Sequence, residues 1–194
     1  APAVIGGEVK AKSGRLSFQV DMRYSGTTSA SVVGVSAPFG STRTVTQDPD
    51  RTFSFNEPGL GFHAFLVPEG TRVARFSLNE ALASVPGADL DLYVYRCIAL
   101  SCSAVGSSAA SGGNEVVTLR DPAPAANDAA GDFYLVFVHA YDLLGATEAE
   151  YTMPLWIVDA QESTTRIVAS PRAIMGRSNI VTVMTSNLTA SPLP

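Results

Sequence analysis

The sequence is short of charge. Asp, Glu, Lys and Arg make up 16% of its 194 residues, against 46% hydrophobic residues. A chain this apolar can fill a core and does not have the composition of a disordered polypeptide. The little charge present leans acidic, with 13 Lys and Arg against 18 Asp and Glu. Nucleic acid is therefore a disfavoured partner, because its binding rests on Lys and Arg neutralising phosphates. No apolar run approaches the ~20 residues of a membrane helix, so no membrane span is expected. The N-terminal Ala1-Pro2-Ala3-Val4-Ile5 lacks the basic-then-apolar layout of a signal peptide. With the abrupt close at Ser191-Pro192-Leu193-Pro194, this leads to the expectation that the chain is cut from a longer one.

Catalytic parts are equally scarce. The two histidines, His63 and His139, read as hydrogen-bonding residues at strand ends or edges. There is no Gly-x-Ser-x-Gly elbow to expose a nucleophile, no phosphate-cradling loop and no His-Glu-x-x-His zinc pattern. The expectation is a chain with no active site of its own. Of the two cysteines, Cys97 and Cys102 in Cys-Ile-Ala-Leu-Ser-Cys, the local disulfide is favoured over two free thiols. It points to an oxidising, extracellular setting, and closing so small a loop contributes little chain entropy.

Strand signals are abundant, and no amphipathic helix stands out. Leu16, Phe18, Val20 and Met22 alternate with polar residues, the period of a half-buried strand. Ser29 to Val35 reads as a second strand. Residues 40–51 read as a polar edge strand running into a linker, with the domain boundary at Gln47-Asp48-Pro49-Asp50. Further strands are expected over 62–67, 73–78, 90–95, 115–119 and 151–158, with a small-residue loop over 107–113, a Pro/Ala-rich loop over 121–130 and a helical turn near 79–84. Residues 133–141 are apolar on alternate faces, which predicts a central strand buried on both sides. This is the pattern of an all-β antiparallel sandwich or jelly roll over 51–160. The flanks, 1–50 and 161–194, are also β-rich. Either they pair into a smaller fibronectin-III-like module, or 161–194 is a hairpin that starts a further domain.

Two candidate sites sit on one strand, Asp89-Leu90-Asp91-Leu92-Tyr93-Val94-Tyr95. Alternation puts Leu90, Leu92 and Val94 on a core side and Asp89, Asp91, Tyr93 and Tyr95 on the other. The aspartates either accept hydrogen bonds that set the strand's register or ligate calcium, with oxygens from Asp121, Asn127, Asp128 and Asp132 near a neighbouring strand's entry. Tyr93 and Tyr95 either form a ligand-binding platform or pack beneath a loop.

A run of motifs resembles a bacterial pre-peptidase C-terminal domain: residues 62–71 (Phe-His-Ala-Phe-Leu-Val-Pro-Glu-Gly-Thr), 74–78, 88–95 (Ala-Asp-Leu-Asp-Leu-Tyr-Val-Tyr), 114–119, 131–138 and 151–155. The flanks, with Gly14-Arg15-Leu16-Ser17-Phe18 and Ala169-Ser170-Pro171-Arg172-Ala173, are similar to C-terminal regions of secreted subtilisin-like serine proteases. The resemblance implies a non-catalytic β-sandwich appended to a peptidase domain of the same polypeptide. Such a region assists folding, secretion and maturation, or attachment to protein substrate. Related collagen-binding domains use calcium and surface tyrosines. The rival reading is a stand-alone protein- or carbohydrate-binding module. The Cys-x-x-x-x-Cys insertion departs from the family pattern.

Overall fold

The computed structural model describes residues 13–32, 37–98, 101–122, 130–159 and 165–185. Apart from a 3-10 turn at Glu80–Leu82, every regular element among them is a β-strand, and every pairing is antiparallel. The chain divides into two compact units, Ala1–Val35 with Ala160–Leu193, and Ser36–Asp159.

In the first unit, β1 (Gly14–Asp21) pairs along its whole length with β13 (Ser178–Thr185), and β11 (Arg166–Val168) lies on the other side of β13. The short β2 (Gly26–Thr27) pairs with β12 (Arg172–Ala173). The alternation read in residues 15–22 is realised as alternating half-buried and exposed positions along β1. The strand expected from Ser29 is not formed over the described residues 29–32, and the rest of it, beyond Val32, lies largely outside the described residues. Its β-branched run is broken by Ser, Ala and Gly, which supply little side chain for a neighbour to cover.

The second unit is a sandwich of two four-stranded sheets. The first runs β3 (Phe39–Thr46), β10 (Glu148–Val158), β5 (Val73–Ser77), β8 (Val116–Arg120); the second runs β4 (Leu60–Val67), β9 (Asp132–Asp142), β6 (Asp89–Ile98), β7 (Ser101–Ser108). Inward residues of both sheets make one core, including Phe76, Met153 and Leu155 from the first and Leu90, Leu92, Val94, Val136 and Val138 from the second. Complete removal of these side chains from water drives the packing, at about 25 cal/mol per Å² of apolar surface. One polar network crosses this interior. His63 donates or accepts at both ring nitrogens, with Ser41 Oγ at 3.0 Å and Tyr151 Oη at 2.8 Å. Burial, with the Arg43 charge behind it, pulls His63 down to about 4, so the ring is neutral. The Tyr151 hydroxyl reaches it only because residue 61 is glycine: a Cβ there would lie 2.1 Å from that oxygen.

Three expectations need correcting. The domain boundary does not fall at 47–50. Strand β3 pairs with β10 from Phe39↔Leu155 to Thr46↔Glu148, so the polar stretch belongs to the sandwich. Its threonines line an outer face, where polarity is tolerated, and this is why they read as linker. Strand β7 was expected only as the cysteine segment and a loop, because Ser, Ala and Gly carry weak strand signals; it is held by pairing to β6 and by the Cys97–Cys102 disulfide. Strand β9 is central, between β4 and β6, but only its inward side is core. Its other side, with Phe133 and Phe137, faces outward.

Candidate functional site

The outer faces of the two sheets are built from different residues. Outward positions of the first sheet include Thr42, Thr44, Thr46, Glu148, Glu150, Thr152, Arg75 and Thr118, with Thr42 and Thr152 hydroxyls 2.7 Å apart and Arg75 lying 5.6 Å from the centroid of Trp156. Outward positions of the second sheet fall into cross-strand rows. Leu60, His139 and Asp91 form one row, followed by Phe62, Phe137 and Tyr93, then by Ala64, Leu135 and Tyr95, and last by Leu66, Phe133 and Cys97. The face is apolar and aromatic except at the His139–Asp91 end. There it opens into a cleft of about 380 Å³ whose lining includes Asp89, Asp91, Tyr93, His139, Arg51 and Phe53.

His139 organises that end. It is buried, with Nε2 2.7 Å from Asp48 Oδ2 and Nδ1 3.1 Å from Asp91 Oδ2. A neutral imidazole carries one N–H, whereas two flanking carboxylates both accept; the ring between them is therefore an imidazolium. Burial works against that charge, but the bonds to Asp91 and Asp48 outweigh it and raise the His139 pKa above the usual histidine value. Asp48 shows the converse: burial opposes its ionisation, yet His139 and the N–H groups of Asp50 and Thr52 hold its pKa below the usual value.

The segment after Asp48 forms a strap across the aromatic face. It is anchored by Gln47, whose amide donates to Tyr141 O and whose Oε1 accepts from Leu143 N, and by the Arg51–Asp142 ion pair at 2.8 Å. Gly59, at φ +91°, lets the chain turn back against Asp48, where a Cβ would meet Asp48 Cβ at 2.5 Å. From this anchored start, Phe53 stacks on Tyr93 with centroids 3.9 Å apart, and Phe55 meets Tyr95 and Phe137 edge-on at 5.3 Å each.

The structure brings together Asp89, Asp91, Tyr93 and Tyr95 on one side of β6, with Leu90, Leu92 and Val94 buried on the other. Asp89 Oδ1 accepts from Gly112 N at 3.0 Å, and burial together with the nearby Asp91 charge raises its pKa. Asp91 accepts from His139, and the Tyr93 hydroxyl lies 3.5 Å from it; burial and that carboxylate raise the Tyr93 pKa. Calcium takes six to eight oxygens, whereas the charge beside Asp91 is an imidazolium, which repels a metal ion. Of the other oxygens offered for calcium, Asp121 pairs with Arg72, Asp132 forms a buried pair with Arg96 at the far end of β9, and Asn127 and Asp128 lie outside the described residues. Tyr93 and Tyr95 lie under the strap, and the open part of the platform is Phe62, Leu66 and Phe133, exposed by 49%, 40% and 58%.

Asp48 and Arg51 escaped the sequence reading because residues 40–51 read as an edge strand running into a linker, and Phe53 and Phe55 because they precede the first strand expected in 51–160. The Phe-Ser-Phe alternation at 53–55 was the available signal. No family model matches the chain, and no curated protein or solved structure matches it at a significant level.

Proposed function

We propose that the chain is a non-catalytic binding module that works outside the cell as an accessory region of a secreted subtilisin-like serine protease, attaching the peptidase domain of the same polypeptide to protein substrate. The observation that carries this reading is the aromatic outer face of the second sheet, opposite a face that is mostly threonine and charge, with Trp156 and Val116 among them. Exposed apolar patches of this kind mark binding sites. Further support comes from the motif run that resembles a pre-peptidase C-terminal domain, whose pieces fall on β4, β5, β6, β8, β9 and β10 of one sandwich. The Cys97–Cys102 disulfide suits an oxidising compartment. His139 is held between two carboxylates, which leaves it no ring nitrogen to accept a proton, and His63, paired with Ser41 and Tyr151, is buried at 2% exposure away from any substrate. In this reading calcium has no place at Asp89 and Asp91, because His139 supplies the positive charge there.

Retention of the purified chain on immobilised, unfolded casein tests the proposal. Retention without cleavage of the casein is expected; no retention, or hydrolysis lost in Asp91→Asn, overturns it. A carbohydrate-binding reading is favoured by one feature, the Asp89, Asp91 and Tyr93 polar groups at the cleft beside aromatic walls. It predicts glycan affinity that Tyr93→Ala removes.

A further inference from the structure

Around the cleft, four carboxylates share two cations among the described residues. Asp48 and Asp91 share His139, at 2.7 and 3.1 Å, and Asp142 pairs with Arg51 at 2.8 Å. Asp89 has no ion pair among the described residues, although it stands directly opposite Asp142 in the register of β6 and β9. Like charges placed opposite each other on paired strands repel. Burial and the charges of Asp91 and Asp142 raise the Asp89 pKa. One oxygen of this carboxylate accepts from Gly112 N at 3.0 Å, and the other has no partner among the described residues. Asp91, 7% exposed, is half-satisfied in the same way. Its Oδ2 meets His139 and the Tyr93 hydroxyl, whereas its Oδ1 makes no hydrogen bond among the described residues and is not sealed from solvent. Both residues line the cleft of about 380 Å³, so two unpartnered carboxylate oxygens open into it, between walls that include Phe53, Tyr93 and Tyr141.

We infer that this cleft receives a cationic side chain, an arginine or lysine of the polypeptide to which the chain attaches, held by Asp89 and Asp91 and flanked by aromatic rings. The inference rests on the binding-module reading and names the group of the protein substrate that the cleft takes. Charge separates it from the alternatives. The trio of Asp48, His139 and Asp91 keeps one negative charge and Asp89 adds a second, whereas Asp142 and Arg51 cancel. A neutral sugar would leave both charges in place. Unpartnered carboxylate oxygens only accept hydrogen bonds, which suits a guanidinium or an ammonium, groups that only donate. Calcium takes six to eight oxygens, and two free carboxylate oxygens fall far short of that. A guanidinium also gains from the aromatic walls, as Arg51 does where it lies 5.8 Å over the Tyr141 ring at the edge of the cleft.

The test is titration of the intact, isotope-labelled chain with Nα-acetylarginine methylamide and with its citrulline counterpart, which keeps the shape and lacks the charge. Binding is read from the backbone amide NMR shifts of Tyr93 and Gly112. The arginine probe is expected to bind at least about tenfold more tightly than the citrulline probe, and Asp89→Asn to weaken it by about tenfold or more. An asparagine at this position can still accept from Gly112 N, so the variant should keep the parent Tm. Ser111→Trp, at an exposed residue of the lining, provides a second lesion that obstructs the cleft and leaves both aspartates in place. Thr44→Ser with Thr118→Ser, on the opposite outer face, should leave binding unchanged. Equal affinity for the two probes, or undiminished binding by Asp89→Asn or by Ser111→Trp, overturns the inference; retention of the parent chain on unfolded casein would then leave the binding-module reading standing. Absence of any casein retention removes the reading itself. Calcium that displaces the arginine probe, or binding of cellohexaose that Asp89→Asn abolishes, would assign the cleft to another ligand and overturn the inference.

Discussion

The two outer faces of the sandwich obey the same strand alternation yet carry opposite chemistry. On the first sheet the outward residues are mostly threonines, glutamates and arginine, with Trp156 under the Arg75 guanidinium and Val116 at the edge. On the second they are phenylalanine, leucine and tyrosine, and the chain covers part of them with its own strap. An antiparallel sheet with one solvated face needs only the first arrangement. The second costs exposed apolar surface, and its aromatic rows are ordered by a buried ionic network at one end. That combination is what the proposed binding role draws on.

The network should carry the largest single effect. His139→Ala leaves Asp48 and Asp91 buried without the cation between them, and should destabilise the chain by about 3–5 kcal/mol in urea unfolding. A loss below about 1 kcal/mol would show that the strap is not anchored there.

The pH profile sharpens the contrast between the outer histidine and the inner one. The folded pKa of His139 is raised, so its contribution is complete below the unfolded value of 6.5 and is lost as pH rises beyond it. His63 is the reverse. Its folded pKa falls from 6.5 to about 4, so its contribution is complete above 6.5 and is lost as pH falls towards 4. That acid-side loss amounts to at most about 3 kcal/mol. Stability should therefore peak near pH 6.5. Tm measured against pH should lose its alkaline slope in His139→Gln and its acid slope in His63→Gln; slopes unaltered by these changes would break the assignment.

Smaller effects separate the faces directly. Phe137→Ala, beneath Phe53 and Phe55, should cost about 2 kcal/mol, less than a fully enclosed phenylalanine. Thr152→Ala on the opposite face should stay within about 0.5 kcal/mol. Equal losses at the two sites would erase the distinction. A chelator is expected to leave Tm unchanged, since the charge beside Asp91 is His139; a drop reversed by calcium would restore the metal reading of Asp89 and Asp91.

The strands around residues 62–67, 73–78, 90–95, 115–119, 133–141 and 151–158 were legible because alternation and turn residues mark them independently of their neighbours. So were the side of β6 that carries Asp89, Asp91, Tyr93 and Tyr95 and the Cys97–Cys102 pairing. Strand β7 was not, because its Ser and Ala residues take their strand character from pairing with β6 rather than from their own side chains. Nor was the role of Asp48. Nothing near it in sequence signals His139, ninety-one positions away and 2.7 Å from its carboxylate. The outward direction of Phe133 and Phe137 was hidden for a related reason: an apolar strand face reads as core whether a second sheet or only a strap lies on it.

The most direct measurement is the map of backbone amide NMR shifts as unfolded casein is titrated into the isotope-labelled chain. The account predicts perturbations concentrated in β4, β9 and the strap around Phe55, with β3 and the outward residues of β10 silent. Shifts centred on the threonine face, or no shifts with casein in excess, would contradict it.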